Sequence, residues 1–98
     1  MPYQLEFLPQ AEEDLTELNN NPALQKRLKA VRKALGFLSL DPRHPSLKTH
    51  KFISKKGPNG EEVFEAYAEQ QTPVAYRIFW YYGPSKGIIT IIAITPHP

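Results

Sequence analysis

The chain of 98 residues contains no cysteine, which excludes a disulfide framework, a thiolate nucleophile and any zinc site built on cysteine. It has no apolar run near the ~18 residues of a membrane-spanning helix, and no basic N-terminal segment followed by an apolar stretch. We therefore expect a cytoplasmic protein that is neither secreted nor bound to a membrane. Its length fits one domain, residues 1–98, with a single hydrophobic core.

The common catalytic motifs are also missing. The sequence has no glycine-rich phosphate loop, no HExxH and no GxSxG. The three histidines, His44, His50 and His97, lack the spacing of metal ligands and have no nearby acid to complete a set, so neither a metal nor a cofactor is expected. The acids cluster at one helix start and on one strand, where solvation and the helix dipole explain them, so a catalytic carboxylate pair is not expected.

Net charge is small, but it is unevenly distributed along the chain. The formal charge is +2. Residues 1–24 carry five acids and no Lys or Arg, residues 25–56 carry ten bases and one acid, and residues 57–98 carry two bases and four acids. This basic middle indicates either a positive surface for an anionic partner or a solvated helix face, and charge alone does not separate the two.

Hydrophobic periodicity predicts a strand and two helices in the first half. Residues 3–8 alternate between apolar and polar, as in a short strand with one buried face. Pro9 opens a helix with an acidic first turn, and the asparagines at 19–21 end it. Asn21 and Pro22 then start a longer helix that ends near Leu40. Its apolar stripe comprises Leu24, Leu28, Val31, Leu35 and Leu38.

The second half is predicted to form a sheet. Residues 41–50 are a proline-rich basic connector, 47–54 a weak strand or extended arm, 55–60 a turn, and 62–69 a strand. Residues 74–82 and 88–94 form a hairpin. Its last strand is apolar on both faces, with Ile88, Ile92 and Ile94 on one side and Ile89, Ile91 and Ala93 on the other.

The predicted fold class is α+β, with the N-terminal strand and an αα-hairpin packed on a small, mainly antiparallel β-sheet. The helices cover one face of that sheet. Because the other face is also apolar, it is available to a protein partner.

The residues left for chemistry are cations and histidines of the connector and hairpin. RNA is cut without a metal when a base takes the 2′-OH proton, a cation stabilises the phosphate and an acid protonates the leaving oxygen. Lys, His and Arg suit these roles. Arg77 also has a structural interpretation, in which its stem packs in the apolar strand while its head pairs with Glu65 or Glu69. The candidate set is Arg43, His44, Lys48, His50, Lys51, Arg77 and His97.

Five segments together resemble the RelE/ParE superfamily of toxins from type II toxin–antitoxin pairs: LEFLPQAEEDLTEL, the basic second helix, DPRHPSLKTHK, AYRIFWYY and IIAITPH. The resemblance covers nearly the whole chain and is most specific at Tyr76-Arg77 and at the last strand with its tail bearing His97. It implies a small antiparallel sheet packed on a helical hairpin, with an antitoxin protein wrapped around it. Many members cleave mRNA in the ribosomal A site, whereas the ParE branch inhibits DNA gyrase.

The resemblance also implies roles for individual residues. Arg77 matches the strand arginine that contacts the scissile phosphate, and His97 matches the C-terminal histidine of acid–base catalysis, with Lys48 assisting. The implied function is a ribosome-dependent, metal-independent mRNA endoribonuclease that inhibits translation. Glu65 and Tyr67 replace lysines of some members, and the tyrosine that follows the terminal histidine or arginine in some members is absent; both departures favour a non-enzymatic gyrase inhibitor. A third hypothesis is an inactive relative that only binds an antitoxin. The implied RNA-binding residues are Arg43, His44, His50 and Lys51.

Overall fold

The computed structural model describes residues 2–70 and 74–96, and within them two helices and five strands are found. Short 3₁₀ turns, Pro22–Leu24 and Pro45–Leu47, precede the second helix and the second strand. Neither helix is both long enough and apolar enough to cross a membrane. The elements are β1 (Gln4–Phe7), α1 (Pro9–Asn20), α2 (Gln25–Leu40), β2 (His50–Lys56), β3 (Glu62–Tyr67), β4 (Tyr76–Tyr82) and β5 (Ile88–Pro96).

The five strands form one sheet in the order β1-β5-β4-β3-β2. β1 pairs with β5 in parallel, and all other neighbours are antiparallel. The β4–β5 hairpin therefore lies inside the sheet, while β1 and β2 form its edges. This confirms the predicted α+β class and the mainly antiparallel sheet.

Both helices pack on one face of the sheet. α1 contributes Ala11 and Leu18, and α2 contributes four buried residues of the predicted stripe, Leu28, Val31, Leu35 and Leu38. The fifth, Leu24, is half-buried and lies in the 3₁₀ turn before α2. Opposite them lie Ile78 and Trp80 of β4, both 0% exposed. Burying each large apolar side chain contributes about 1.5–3 kcal/mol, so this interface holds the fold together. We call the opposite side of the sheet the open face.

A bulge in β5 overturns the predicted division of its side chains. Phe79 pairs with Ala93 but Trp80 pairs with Ile91, so Ile92 is an extra residue in the ladder. As a result Ile89, Ile91 and Ile94 all join the helix-side core, whereas Ile92 and Ala93 pack on the open face. Strict alternation placed Ile94 with Ile92, and Ala93 with Ile89 and Ile91; both assignments are wrong because the bulge shifts the phase by one residue.

Several boundaries also differ from the predicted ones. The second helix begins at Gln25, after a 3₁₀ turn, rather than at Pro22; β3 ends at Tyr67 rather than at residue 69, and β5 continues to Pro96 rather than ending at residue 94. β2 extends to Lys56, so residues 55–56 are strand rather than turn, and Gly60 N–H closes the turn on Gly57 O at 3.0 Å. Leu47 belongs to the 3₁₀ turn Pro45–Leu47, where its side chain is buried, and not to the strand. β4 begins at Tyr76, two residues after the predicted start, because Val74 has a φ of 53° that no strand accommodates.

Candidate functional site

Arg77 lies on the open face and is ion-paired. Its Nη1 donates to Glu65 Oε2 at 2.7 Å, and its guanidinium carbon stands 4.5 Å from the centre of the Tyr67 ring. Tyr67 is the direct antiparallel partner of Arg77, so strand register sets this stacking. The side chains of Arg77 and Glu65 are 15% and 4% exposed. Of the two partners considered for Arg77, the structure therefore selects Glu65.

His50 binds the other oxygen of the same carboxylate. Its Nε2 lies 2.6 Å from Glu65 Oε1, and its Nδ1 lies 3.1 Å from Lys48 O. Because both ring nitrogens face oxygen acceptors, the imidazolium form, with two N–H donors, satisfies both contacts. We call His50, Glu65 and Arg77 the ion triad. The His50–Glu65 contact arises because these residues are register partners across β2 and β3, which sequence reasoning missed.

A cleft of about 360 Å³ opens beside the ion triad, and we call it the Arg77 cleft. Lys55 adds a further cation to its wall. Among the described residues Arg77 makes one side-chain hydrogen bond, from Nη1 to Glu65, and its buried Nε makes none. The rest of the wall is apolar or neutral: Phe52, Phe79, Ala93 and Thr95.

The candidate acid–base residue His97 lies outside the described residues. The described chain ends at Pro96, which pairs with Tyr76, the residue just before Arg77. The last strand thus leads to the Arg77 region, and the role of His97 stays a prediction.

A second cleft, of about 470 Å³, gathers the predicted connector residues, and we call it the basic cleft. The connector leaves α2, turns at Pro45–Leu47 and returns as β2, with Leu47 only 1% exposed and acting as its anchor. All four predicted RNA-binding residues and Lys48 line this cleft, but Arg77 does not. Its wall comprises Pro42, Arg43, His44, Pro45, Lys48, Thr49, His50, Lys51, Phe64, Trp80 and Tyr82.

Two groups in the basic cleft are neutral rather than charged. His44 Nδ1 accepts a hydrogen bond from Ser46 N–H at 3.1 Å while its ring stacks on Phe37 at 4.1 Å. An accepting Nδ1 carries no proton, so His44 presents an Nε2–H donor. Burial raises the pKa of the Tyr82 hydroxyl above its usual 10.0, with Tyr3 acting in the same direction and Arg43 against it. At neutral pH Tyr82 therefore brings no negative charge into the cleft.

Glu69, the other acid considered for Arg77, is engaged elsewhere. Arg27 Nη1 donates to Glu69 Oε1 at 2.9 Å and to Val74 O at 3.1 Å. The same carboxylate oxygen accepts from Tyr76 N–H at 3.0 Å. This cluster joins α2 to the start of β4. Within residues 2–70 and 74–96, no three His, Asp or Glu side chains are grouped so as to hold a metal ion.

Comparison with known proteins identifies the fold. No family model matches the chain, and no curated protein matches it significantly. Three solved structures are similar over nearly their full lengths. The YoeB dimer of Staphylococcus aureus has a TM-score of 0.70, 16% identity and coverage of 100% of both chains. The RelE–RelB complex of Pyrococcus horikoshii has a TM-score of 0.65, 15% identity and coverage of 98% of this chain and 96% of that one.

The third is the RelBE2 toxin–antitoxin complex of Mycobacterium tuberculosis, with a TM-score of 0.63, 21% identity and coverage of 99% and 100%. At sequence identities this low, the similarity shows only that the fold is shared. The protein has the fold of the RelE and YoeB toxins, which confirms the predicted resemblance at the level of the fold.

Proposed function

We propose that the protein is the toxin of a type II toxin–antitoxin pair and that it cleaves mRNA on the ribosome. Its partner would be an antitoxin protein, since two of the structures that share the fold are a RelE–RelB complex and the toxin–antitoxin complex RelBE2. The observation that carries the endoribonuclease proposal is the ion triad, because it joins the basic cleft, through His50, to the partly unpartnered guanidinium of Arg77.

The proposed reaction is transfer of the scissile phosphate to the neighbouring 2′-OH. A base removes the 2′-OH proton, the oxygen attacks phosphorus, and the bond to the 5′ oxygen breaks as an acid protonates it. Arg77 stabilises the charge that builds on the phosphate oxygens, and Glu65 holds its guanidinium in place. His97 serves as acid or base. Lys48 and the other basic-cleft residues hold the RNA.

The test is mRNA cleavage on purified ribosomes by the wild type and a His97→Ala variant. We expect cleavage to slow by roughly 10²–10⁴-fold, the usual contribution of a positioned acid or base. Lys86→Ala, on the exposed turn between β4 and β5, is the matched control and should cleave at the wild-type rate. An unchanged rate in His97→Ala would remove His97 from the mechanism.

The ion pair of Arg77 favours one alternative, a non-enzymatic inhibitor of DNA gyrase. Its charge is balanced by Glu65, and both side chains are largely buried, as in a structural pair. Inhibition of gyrase supercoiling by a protein that leaves ribosome-bound mRNA intact would establish this alternative. A relative that only binds an antitoxin would do neither, and its expression would leave growth unaffected.

A further inference from the structure

We propose that the basic cleft is a binding subsite for one unpaired nucleotide, with the phosphate held by the connector cations and the base stacked on Tyr82. The inference rests on the proposed function in taking RNA as the natural ligand. It concerns a different face of the sheet from the Arg77 cleft and needs no cleavage chemistry.

The residues that line the basic cleft supply hydrogen-bond donors and positive charge, and none of them carries a carboxylate, although Asp41 acts on Tyr82 from nearby and Glu65 engages His50. Among the described residues, neither Arg43 nor Lys48 forms an ion pair, and Lys51 has only an exposed pair with Glu62 at 3.2 Å. His44 adds a neutral N–H donor. A ligand that satisfies such a cleft is rich in acceptors and negatively charged, as a phosphodiester is.

One buried side-chain polar atom among the described residues that line the basic cleft lacks a hydrogen-bond partner, and it belongs to Trp80. Its side chain lines the basic cleft and is 0% exposed, yet its Nε1 has no hydrogen-bond partner among the described residues. Buried indole N–H groups normally find an acceptor. A ligand atom that reached Nε1 would supply the acceptor that the described residues do not.

The aromatic wall suits a base. Tyr82 is 39% exposed, and edge-on contacts with Trp80 at 4.8 Å and Phe64 at 5.7 Å between ring centres hold its ring in place. A fixed, partly exposed aromatic ring beside cations is the arrangement that binds single-stranded RNA by stacking. The volume of about 470 Å³ falls within the range of small-molecule sites, roughly 300–1,000 Å³.

Lys48, which lines the basic cleft, has an unfavourable backbone conformation at the end of the Pro45–Leu47 turn. Lys48 has a φ of 46° and a ψ of 43°, the left-handed region that non-glycine residues rarely adopt. Glycine would adopt it without strain, so Lys48→Gly removes the ammonium group while keeping the turn.

The experiment uses Trp80 as its own reporter, since it is the only tryptophan in the sequence. The purified protein is titrated at low salt with nucleoside 5′-monophosphates, ribose 5-phosphate and inorganic phosphate while fluorescence is followed. We expect at least one nucleotide to bind about tenfold or more tightly than ribose 5-phosphate, because stacking on an aromatic ring contributes about 5- to 100-fold. Tyr82→Leu should remove that advantage and leave ribose 5-phosphate binding unchanged.

Two further variants separate charge from stacking. Lys48→Gly should weaken all three ligand classes by about 3- to 10-fold, whereas Lys29→Gln, on the exposed side of α2, makes the same charge change and should have no effect. Equal affinity for phosphate and nucleotides would show that the cleft binds anions without recognising a base. Absence of a saturable fluorescence signal, confirmed by calorimetry, would show that the cleft does not bind these ligands. Either result overturns the proposal. A protein that binds nucleotides but never cleaves mRNA would keep the subsite and refute the proposed function.

Discussion

Replacing Glu65 by Gln should lower the free energy of unfolding by about 2–3 kcal/mol. The carboxylate accepts one charged hydrogen bond from Arg77 at 2.7 Å and another from His50 at 2.6 Å. Each such bond contributes about 1.5–3 kcal/mol, and the amide of Gln can accept from one donor while its NH₂ opposes the other. Complete burial would raise the loss to about 3–5 kcal/mol, but the Arg77 side chain is 15% exposed and water recovers part of it.

The measurement is urea denaturation of the wild type and Glu65→Gln, completed by a double-mutant cycle with Arg77→Met. In the Arg77→Met background, Glu65→Gln should cost at least about 1 kcal/mol less than in the wild type, because one of its partners is already gone. Glu62→Gln is the matched control: its pair with Lys51 is more than half exposed on both sides and should contribute within about 0.5 kcal/mol. A Glu65→Gln loss no larger than that of the control would refute the ion triad as a stabilising unit.

Two further predictions concern the fold. Asp14 Oδ2 accepts the Ile94 N–H at 2.9 Å, so Asp14→Ala should lower the free energy of unfolding by about 1–3 kcal/mol in thermal denaturation. Asp14→Asn keeps an acceptor and should be destabilised clearly less, and equal losses in the two variants would contradict this role of Asp14. Burial raises the pKa values of Tyr76 and Tyr82 above 10.0, so stability should be fully present below pH 10.0 and fall above it, where the unfolded chain releases these protons first. In urea denaturation across that pH range, the free energy of unfolding should fall less steeply for Tyr76→Phe than for the wild type. An identical fall in the two proteins would contradict this contribution of Tyr76.

The helices and the central hairpin could be predicted because their signals are local. Four of the five apolar residues predicted at helical spacing lie on the buried side of α2. The asparagine before Pro22 caps the turn that leads into this helix, accepting from Ala23 N–H at 2.9 Å. The faces of β5 could not be predicted. They depend on Ile92 being unpaired opposite β4, which is a property of two strands together and leaves no mark on either alone.

The candidate site, too, could be predicted from the sequence only in part. The connector residues were predicted as a group, and the structure keeps them together because a short segment anchored by Leu47 cannot spread them apart. Their separation from Arg77 was not predicted. In β3 the neighbours Phe64 and Glu65 point to opposite faces, so Phe64 lines the basic cleft while Glu65 lines the Arg77 cleft. Which of these neighbours faces which cation depends on strand register, and here that register includes a shift between Lys51 and Lys56.

His50 is the one triad residue that lines the basic cleft, and its position constrains any path of RNA across the protein. It lies at the start of β2, an edge strand of the sheet, so a ligand can pass around it from one face to the other. An RNA strand bound in the basic cleft would reach Arg77 by crossing this edge, where the His50 ring contacts Glu65. Substitution of His50 must then disturb both nucleotide binding and the ion triad, whereas changes at Lys48 and Arg77 each disturb only one. If the two clefts were unrelated, substitution of His50 would affect only one of these two properties.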